Sequence, residues 1–493
     1  MPDSFEHMAP IAVRMPNGAL TSLAGNLDPH HRVGVADLIL AQRRVAETVR
    51  RLVQEWTPDV VGLSVMTFQR RTALKVVSLV RTLRPAARIV VGGYDPSLAP
   101  EAYEGDSGVD FVVRGEGERT FAELLRALEV GGDVSGIPGL SYREGGAFRH
   151  NHPRPVSRLE DGGLRLPRRD ARLLTGYTLL GRPVDVIETS RGCTFDCSFC
   201  SIIEMRGRNF HVLEFSRVLD DIRDAQAHGA RAIFIVDDNI TLNVARFEAL
   251  CRAIIEARLE KIDYIVQAMT SSIADHGATL APVMRKAGFR YVFLGIENVL
   301  EEDLGFLKAR AKNLRHDGGR PAGNATLAAI DYIHRNGMYV VGGIIVGNPA
   351  DTREAILTNL RFARRYVDWP YIQHPTPYPR TPMTRDLEQR DLVINRRLEE
   401  YDGTTAVVKS EHLPAEEIEF LRWQAERFMK LRHFPAAFRH SPLFCLRHGA
   451  AMVAHTLRGC SWRTLLGLES ARDAFRRYRE LRRAEREYIG SSA

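Results

Sequence analysis

The chain has 493 residues, 44% hydrophobic and 26% charged, with a net charge of +7. That length exceeds one ordinary core and predicts two or three domains of a globular protein. No apolar run approaches the roughly eighteen residues a membrane span needs, and the N-terminus lacks a basic region followed by an apolar one, so no signal peptide and a cytoplasmic location are expected.

In chain order, residues 9–15 and 32–40 read as short strands, and 41–56 as a helix with Val45, Val49 and Leu52/Val53 on one face. Apolar strands follow at 58–67, 87–93 and 110–118, with helices at 71–85 and 120–132. This alternation predicts a Rossmann-like, doubly wound parallel sheet over residues 1–135. Thr67, Gly92, Gly93, Gly115 and Glu116 fall at the strand ends, where such sheets bind ligands. Proline and glycine density marks 136–182 as a linker with a small hairpin. Six strand–helix units then run from 183 to 385, predicting a partial (β/α)6 barrel with its functional groups at the C-terminal strand ends. Residues 386–493 read as a helical region, with Ile418, Leu421, Ala425 and Phe428 on one stripe. Much of the positive charge sits at 471–489. Without a recognition motif it argues no nucleic-acid partner. It fits a solvated helix face or peripheral contact with an anionic membrane. Residues 444–468 mix apolar with basic residues, as a packed helix pair or a membrane-surface segment would.

Half of the six cysteines fall within eight residues, Cys193, Cys197 and Cys200, directly after the first barrel strand. In a reducing compartment such crowding points to metal rather than disulfide chemistry. Zinc would need a fourth ligand, with His211 as the candidate. A four-iron cluster on three thiolates would leave one iron open. Cys251, Cys445 and Cys460 are scattered and read as small apolar residues.

The C-x3-C-x2-C spacing, with Phe199 before the last cysteine, resembles the radical S-adenosylmethionine superfamily. The resemblance implies a [4Fe-4S] cluster on Cys193, Cys197 and Cys200, whose open iron binds S-adenosylmethionine and yields a 5′-deoxyadenosyl radical for hydrogen abstraction. It also implies a low-potential electron donor of flavodoxin or ferredoxin type. Asp237 and Asp238 in "FIVDDN", Glu297 in "FLGIEN" and Gly347 in "GGIIVGNP" match the family's S-adenosylmethionine-contacting segments. Asp237 and Asp238 equally suit helix caps. Residues 60–125, with "GEGE" at Gly115–Glu118, resemble the cobalamin-binding domain that precedes many of these barrels. The family layout implies cobalamin-dependent methylation of an unactivated carbon. The alternative is a radical cyclase, oxidase or carbon–carbon bond-forming enzyme on a lipid or tetrapyrrole-like substrate, and a non-enzymatic redox sensor is the reading from another class. "DPHHRVG" is a near-miss to a cobalt-ligand motif, and His30 and His31 read as a surface turn. Tyr94 stands where many relatives have histidine. His374 and Tyr378 are the candidate catalytic residues facing a small-molecule or lipid substrate.

Overall fold

The computed structural model describes residues 13–317, 320–440, 442–443, 445–450 and 462–489. Cys460, the side chain of Phe428 and part of the 444–468 segment lie outside the described residues.

The first sheet has three parallel strands side by side, β1 (Val60–Ser64), β2 (Arg88–Gly92) and β3 (Phe111–Val113). A hairpin, β4 (Leu140–Glu144) and β5 (Ala147–His150), adds antiparallel to β3. The hairpin expected within the linker is therefore this sheet's edge. Helices Val45–Trp56 and Arg70–Leu83 cover one face through Val45, Val49, Val53, Val76 and Val80, packed on Ile89 and Val91. Helix Gly117–Val130 covers the other through Leu124, against Val90 and Phe111. Such covering of both faces explains why these strands read as continuous apolar runs.

The second sheet carries six parallel strands in sequence order: β6 (Arg182–Ile187), β7 (Ala232–Ile235), β8 (Asp263–Met269), β9 (Phe289–Glu297), β10 (Tyr339–Ile345) and β11 (Trp369–Gln373). It is the expected partial barrel. Its core joins Ile233, Val266, Val292, Val340 and Ile372 to the surrounding helices.

Three expectations need correction. Val13–Arg14 is a strand, but it pairs through Thr178–Leu179 onto β6 and so extends the barrel sheet. Residues 32–40 form no strand beyond a single bridge, Val35 to Arg172. Their apolar side chains are divided between two cores: Leu38 packs in the N-terminal one, Ile39 and Leu40 against the barrel strands. A strand with one buried face cannot serve both. Thirdly, the region from 386 is not helical throughout. After helix Pro382–Gln389, residues 390–414 are largely irregular, with Tyr401–Val408 buried, before helix Ala415–His440 begins. Ile418 and Leu421 are buried on that helix and Ala425 partly so.

The basic helix Ala471–Glu485 has one docked face, with Arg472, Arg476 and Arg477 exposed on the solvated one. Arg482 and Arg486 reach Asp402, Arg483 reaches Glu400, Arg479 and Arg482 reach Glu419, and Phe475 is buried against Phe420 and Trp423. Part of the charge that suggested a membrane surface is thus paired with buried carboxylates of the same chain. No helix among the described residues is long and apolar enough to cross a membrane.

Candidate functional site

The cysteine loop grows from the end of β6. Thr189 N and Oγ1 and Ser190 Oγ donate to Asp237 at the end of β7, over 2.6, 2.5 and 2.6 Å. Ser190–Arg191 then pairs antiparallel with His211–Val212. Gly192 adopts φ +92°, a conformation that favours glycine, and its N–H donates to Asp238 at 2.7 Å. The far side of the loop is pinned by Ser198, which donates to the carbonyls of Leu307 and Phe306, while Met383 N–H donates to the Ser198 carbonyl. Asn239 Nδ2 lies 3.7 Å from Cys193 Sγ. Burial pushes the Cys197 thiol up, and the Cys200 thiol up to about 12.

Among the described residues, the one group of three or more Cys, His, Asp or Glu ligand atoms within 4.8 Å of one another is His30, His31 and Glu129. The three cysteine sulfurs do not form such a group as they stand. Three cysteines on one loop, with soft thiolate donors, fit a polynuclear iron–sulfur cluster. His211 Nδ1 faces Glu160 at 3.3 Å and joins no such group.

The structure separates the two aspartates. Asp237, 1% exposed, is an internal brace between strand ends, and burial raises it to about 6 against four hydrogen bonds from Ser190 and Thr189. Asp238 is also raised by burial and lies 3.8 Å from Arg206. Neither accepts a helix-capping bond.

Glu297 ends β9 at a register shift, with φ +57°, and is buried. Its carboxylate meets Lys312 Nζ at 3.3 Å. Gly295 makes room for the pair, since a Cβ there would lie 2.7 Å from Glu297 Oε1. Burial works against the Lys312 ammonium, but Cys197, Glu297, Cys200 and Cys193 overcome it and raise its pKa. Lys312 is thus a cation facing the cysteine loop. The sequence reading missed it because "KARAKN" looks like ordinary surface.

On the N-terminal side, Thr67 is buried at the turn after β1, and Gly92 and Gly93 close β2. Gly115 has φ +76°, and a Cβ there would meet nothing within 4 Å. Backbone bordering open space is what a large flat ligand requires, which Gly115 offers; a Cβ on Gly93 would instead lie 2.9 Å from the Val65 backbone, and one on Gly92 3.5 Å from the Val113 carbonyl. Burial, then Asp238, raises the Tyr94 phenol, with Arg206 lowering it and Cys200 among its further neighbours. Arg206 joins the two sides, 3.9 Å from Glu116 and 3.8 Å from Asp238. Glu116 Oε2 accepts from Ser157 N–H at 2.9 Å. His30 Nε2 faces Glu129 at 2.8 Å on a turn.

The remaining candidates lie deeper. His374 is 3% exposed, with Nδ1 2.9 Å from the Val346 carbonyl. Burial lowers its pKa to about 3, so the ring is neutral, with Nδ1 donating and Nε2 buried without a partner. Tyr378 donates its hydroxyl to the Tyr401 carbonyl at 2.9 Å. The space beside Gly347 is filled by Ile418 Cγ2, 2.6 Å from where a Cβ would stand. Phe199 packs in an apolar cluster with Phe68, Leu304 and Met383. Cys251 and Cys445 are buried.

Two family models match: the B12 binding domain over residues 8–125 and the Radical SAM superfamily over 187–363. The chain is a radical S-adenosylmethionine superfamily protein with a B12-binding domain ahead of the barrel, a layout it shares with cobalamin-dependent methyltransferases and with magnesium-protoporphyrin ester cyclases. It is an enzyme whose cofactors are a [4Fe-4S] cluster, S-adenosylmethionine and cobalamin. It is 28% identical to an uncharacterized methyltransferase of Pyrococcus horikoshii, covering 81% of this chain and 84% of that one. It is 27% identical to hopanoid C-3 methylase of Methylococcus capsulatus, covering 73% and 67%. Among solved structures, the cobalamin-dependent S-adenosylmethionine radical enzyme OxsB, with aqua-cobalamin and S-adenosylmethionine bound, shares the fold with a TM-score of 0.65. That match has 16% identity and covers 97% of this chain and 74% of that one.

Proposed function

We propose that this enzyme methylates an unactivated carbon of a small-molecule or lipid substrate held between the two sheets. The observation that carries this reading is the meeting of the two sites: Arg191, two residues before Cys193, donates to Glu118 of the N-terminal helix at 2.7 Å, and Arg206 lies between Glu116 and Asp238 at 3.9 and 3.8 Å.

When bound, the cluster, S-adenosylmethionine and cobalamin supply a hydrogen-abstracting radical and a methyl carrier. The chain's own residues hold and orient them. Cys193, Cys197 and Cys200 hold the cluster. Glu297 and Lys312 match the ammonium and carboxylate of the methionine moiety in charge, the one as acceptor and the other as donor. Asp237 and Asp238 fix the loop that presents the cysteines. Gly115 would face cobalamin, with Thr67, Gly92 and Gly93 shaping the strand ends behind it. Neutral His374 offers Nε2 as an acceptor rather than an acid, and the Tyr378 hydroxyl can act on substrate only by leaving the Tyr401 carbonyl. Domain limits follow the sheets: the N-terminal unit runs through the hairpin to about residue 150, and the barrel from about 178. A low-potential flavodoxin- or ferredoxin-type protein is the fitting electron source.

The test is an anaerobic reaction with reductant, hydroxocobalamin, methyl-deuterated S-adenosylmethionine and a host-cell extract. We expect 5′-deoxyadenosine together with a deuterated-methyl product by mass spectrometry. Formation of 5′-deoxyadenosine with an unmethylated product of altered mass would replace methylation with a radical cyclisation or oxidation. In a Cys193→Ala variant, loss of both products is expected.

A further inference from the structure

We propose that Arg191 is an interdomain positioning residue that ties the start of helix Gly117–Val130 to the cysteine loop, so that a ligand seated beside Gly115 is sensed at Cys193. The proposal rests on the cobalamin reading above.

Arg191 is 5% exposed and stands two residues before Cys193. Its Nη2 donates to Glu118 Oε1 and to Glu188 Oε2, both at 2.7 Å, and its Nε donates to both oxygens of Glu188 at 3.1 Å. Glu188 follows β6 on the barrel side, whereas Glu118 sits in the first turn of the N-terminal helix. One planar guanidinium therefore holds both units, a task its fixed fork suits and a flexible ammonium does not. Glu118 is held in turn by Ser22 Oγ at 2.9 Å. On the loop side nothing is slack: Ser190–Arg191 is β-paired with His211–Val212, and Gly192 N–H is fixed on Asp238.

The slack lies on the ligand side. Glu116, directly after Gly115, has Oε1 buried without a hydrogen bond. That oxygen is 3.6 Å from Arg191 and 3.9 Å from Arg206, while Arg206 lies 3.8 Å from Asp238. Four carboxylates, Glu116, Glu118, Glu188 and Asp238, thus share two guanidiniums, and the contact of Glu116 with Arg191 is left long. Pressure on the backbone at Gly115 can tighten it, shifting Arg191 and the loop it begins. This gives the "GEGE" segment a role distinct from contacting the ligand. Its glycine leaves the space, and its two glutamates pass the consequence to the cysteines.

The test is hydrogen–deuterium exchange on the full chain with its cluster reconstituted anaerobically, with and without hydroxocobalamin. In the wild type, exchange should slow about fivefold or more over both 63–67/92–94/115–118 and the loop 190–200. In Arg191→Met, slowing should persist in the first set and vanish from the loop, with the cobalamin titration and iron content retained. Loop slowing undiminished in Arg191→Met, or absent from the wild type while the first set is protected, would overturn the proposal. Should Arg191→Met fail to fold or to hold its cluster, Glu118→Gln breaks the same joint away from the loop and must give the same pattern. Absence of protection everywhere in the wild type would strike down the cobalamin reading, and the coupling with it.

Discussion

Two buried carboxylates at the domain joint titrate in opposite directions, and each makes a stability statement. Burial raises Asp237 to about 6, above its ordinary 3.8. Its contribution is therefore full below about pH 4 and lost as pH rises through about 6, on the order of 3 kcal/mol. Burial also opposes the charge of Glu118, but Arg191 overrides it and holds the pKa at about 2, against 4.5. That contribution is present above about pH 4.5 and lost as pH falls toward 2. Urea melts from pH 4 to 7 should thus lose a negative slope in Asp237→Asn, whereas Glu118→Gln should remove a positive slope below pH 4.5. A second prediction concerns Gly295. Alanine there places a methyl 2.7 Å from Glu297 Oε1, so the carboxylate must leave Lys312. S-adenosylmethionine should bind at least about tenfold more weakly, the worth of one hydrogen bond to a charged group. The change it induces in the electron paramagnetic resonance spectrum of the reduced cluster would report this, with iron content unchanged. The cysteines were legible because soft ligands at tight spacing have few other meanings. Lys312 was not, since only the bulge at Gly295–Glu297, a tertiary feature, reveals what it faces.

At the scale of elements, the barrel strands were legible because most are largely buried and read as short apolar-rich runs between helical stretches. The basic C-terminal helix was legible as a helix but not as a docked one. Its partners, Glu400, Asp402 and Glu419, lie more than fifty positions upstream, in an irregular segment and on another helix. Charge in a sequence window says nothing about charges that meet it in space. Asp402, 2% exposed, accepts from Arg482 and Arg486 and caps its own turn through Thr404 and Thr405 N–H groups at 2.9 Å. Asp402→Asn leaves two buried guanidiniums short of a counter-charge, which costs about 3–5 kcal/mol. We expect a matching loss of unfolding free energy in denaturant melts, and release of helix Ala471–Glu485 to limited proteolysis before the barrel unfolds.

At the scale of the whole molecule, the first and last described segments are exchanged between its units. The first described strand, Val13–Arg14, completes the barrel sheet, while the last described residue, Ile489, is 3% exposed within the N-terminal core. Lys75 Nζ, on helix Arg70–Leu83, donates to the Ile489 carbonyl at 2.6 Å and meets Glu487 at 3.4 Å. Pattern reading divided the chain into consecutive domains and had no means of seeing this, because no local periodicity records where a terminus docks. The consequence is unequal. The barrel core is large, whereas the N-terminal sheet has three parallel strands and depends on each covering side chain. Ile489→Ala should cost about 2–5 kcal/mol through lost burial and the cavity left behind. That loss should fall on the N-terminal unit. Amide exchange in Val45–Trp56 and Arg70–Leu83 should speed up at least about thirtyfold, with strands β7 to β10 unchanged. Uniform acceleration through both sheets would mean instead that the units open as one body. Unchanged exchange in both helices would mean that Ile489 contributes nothing to that core.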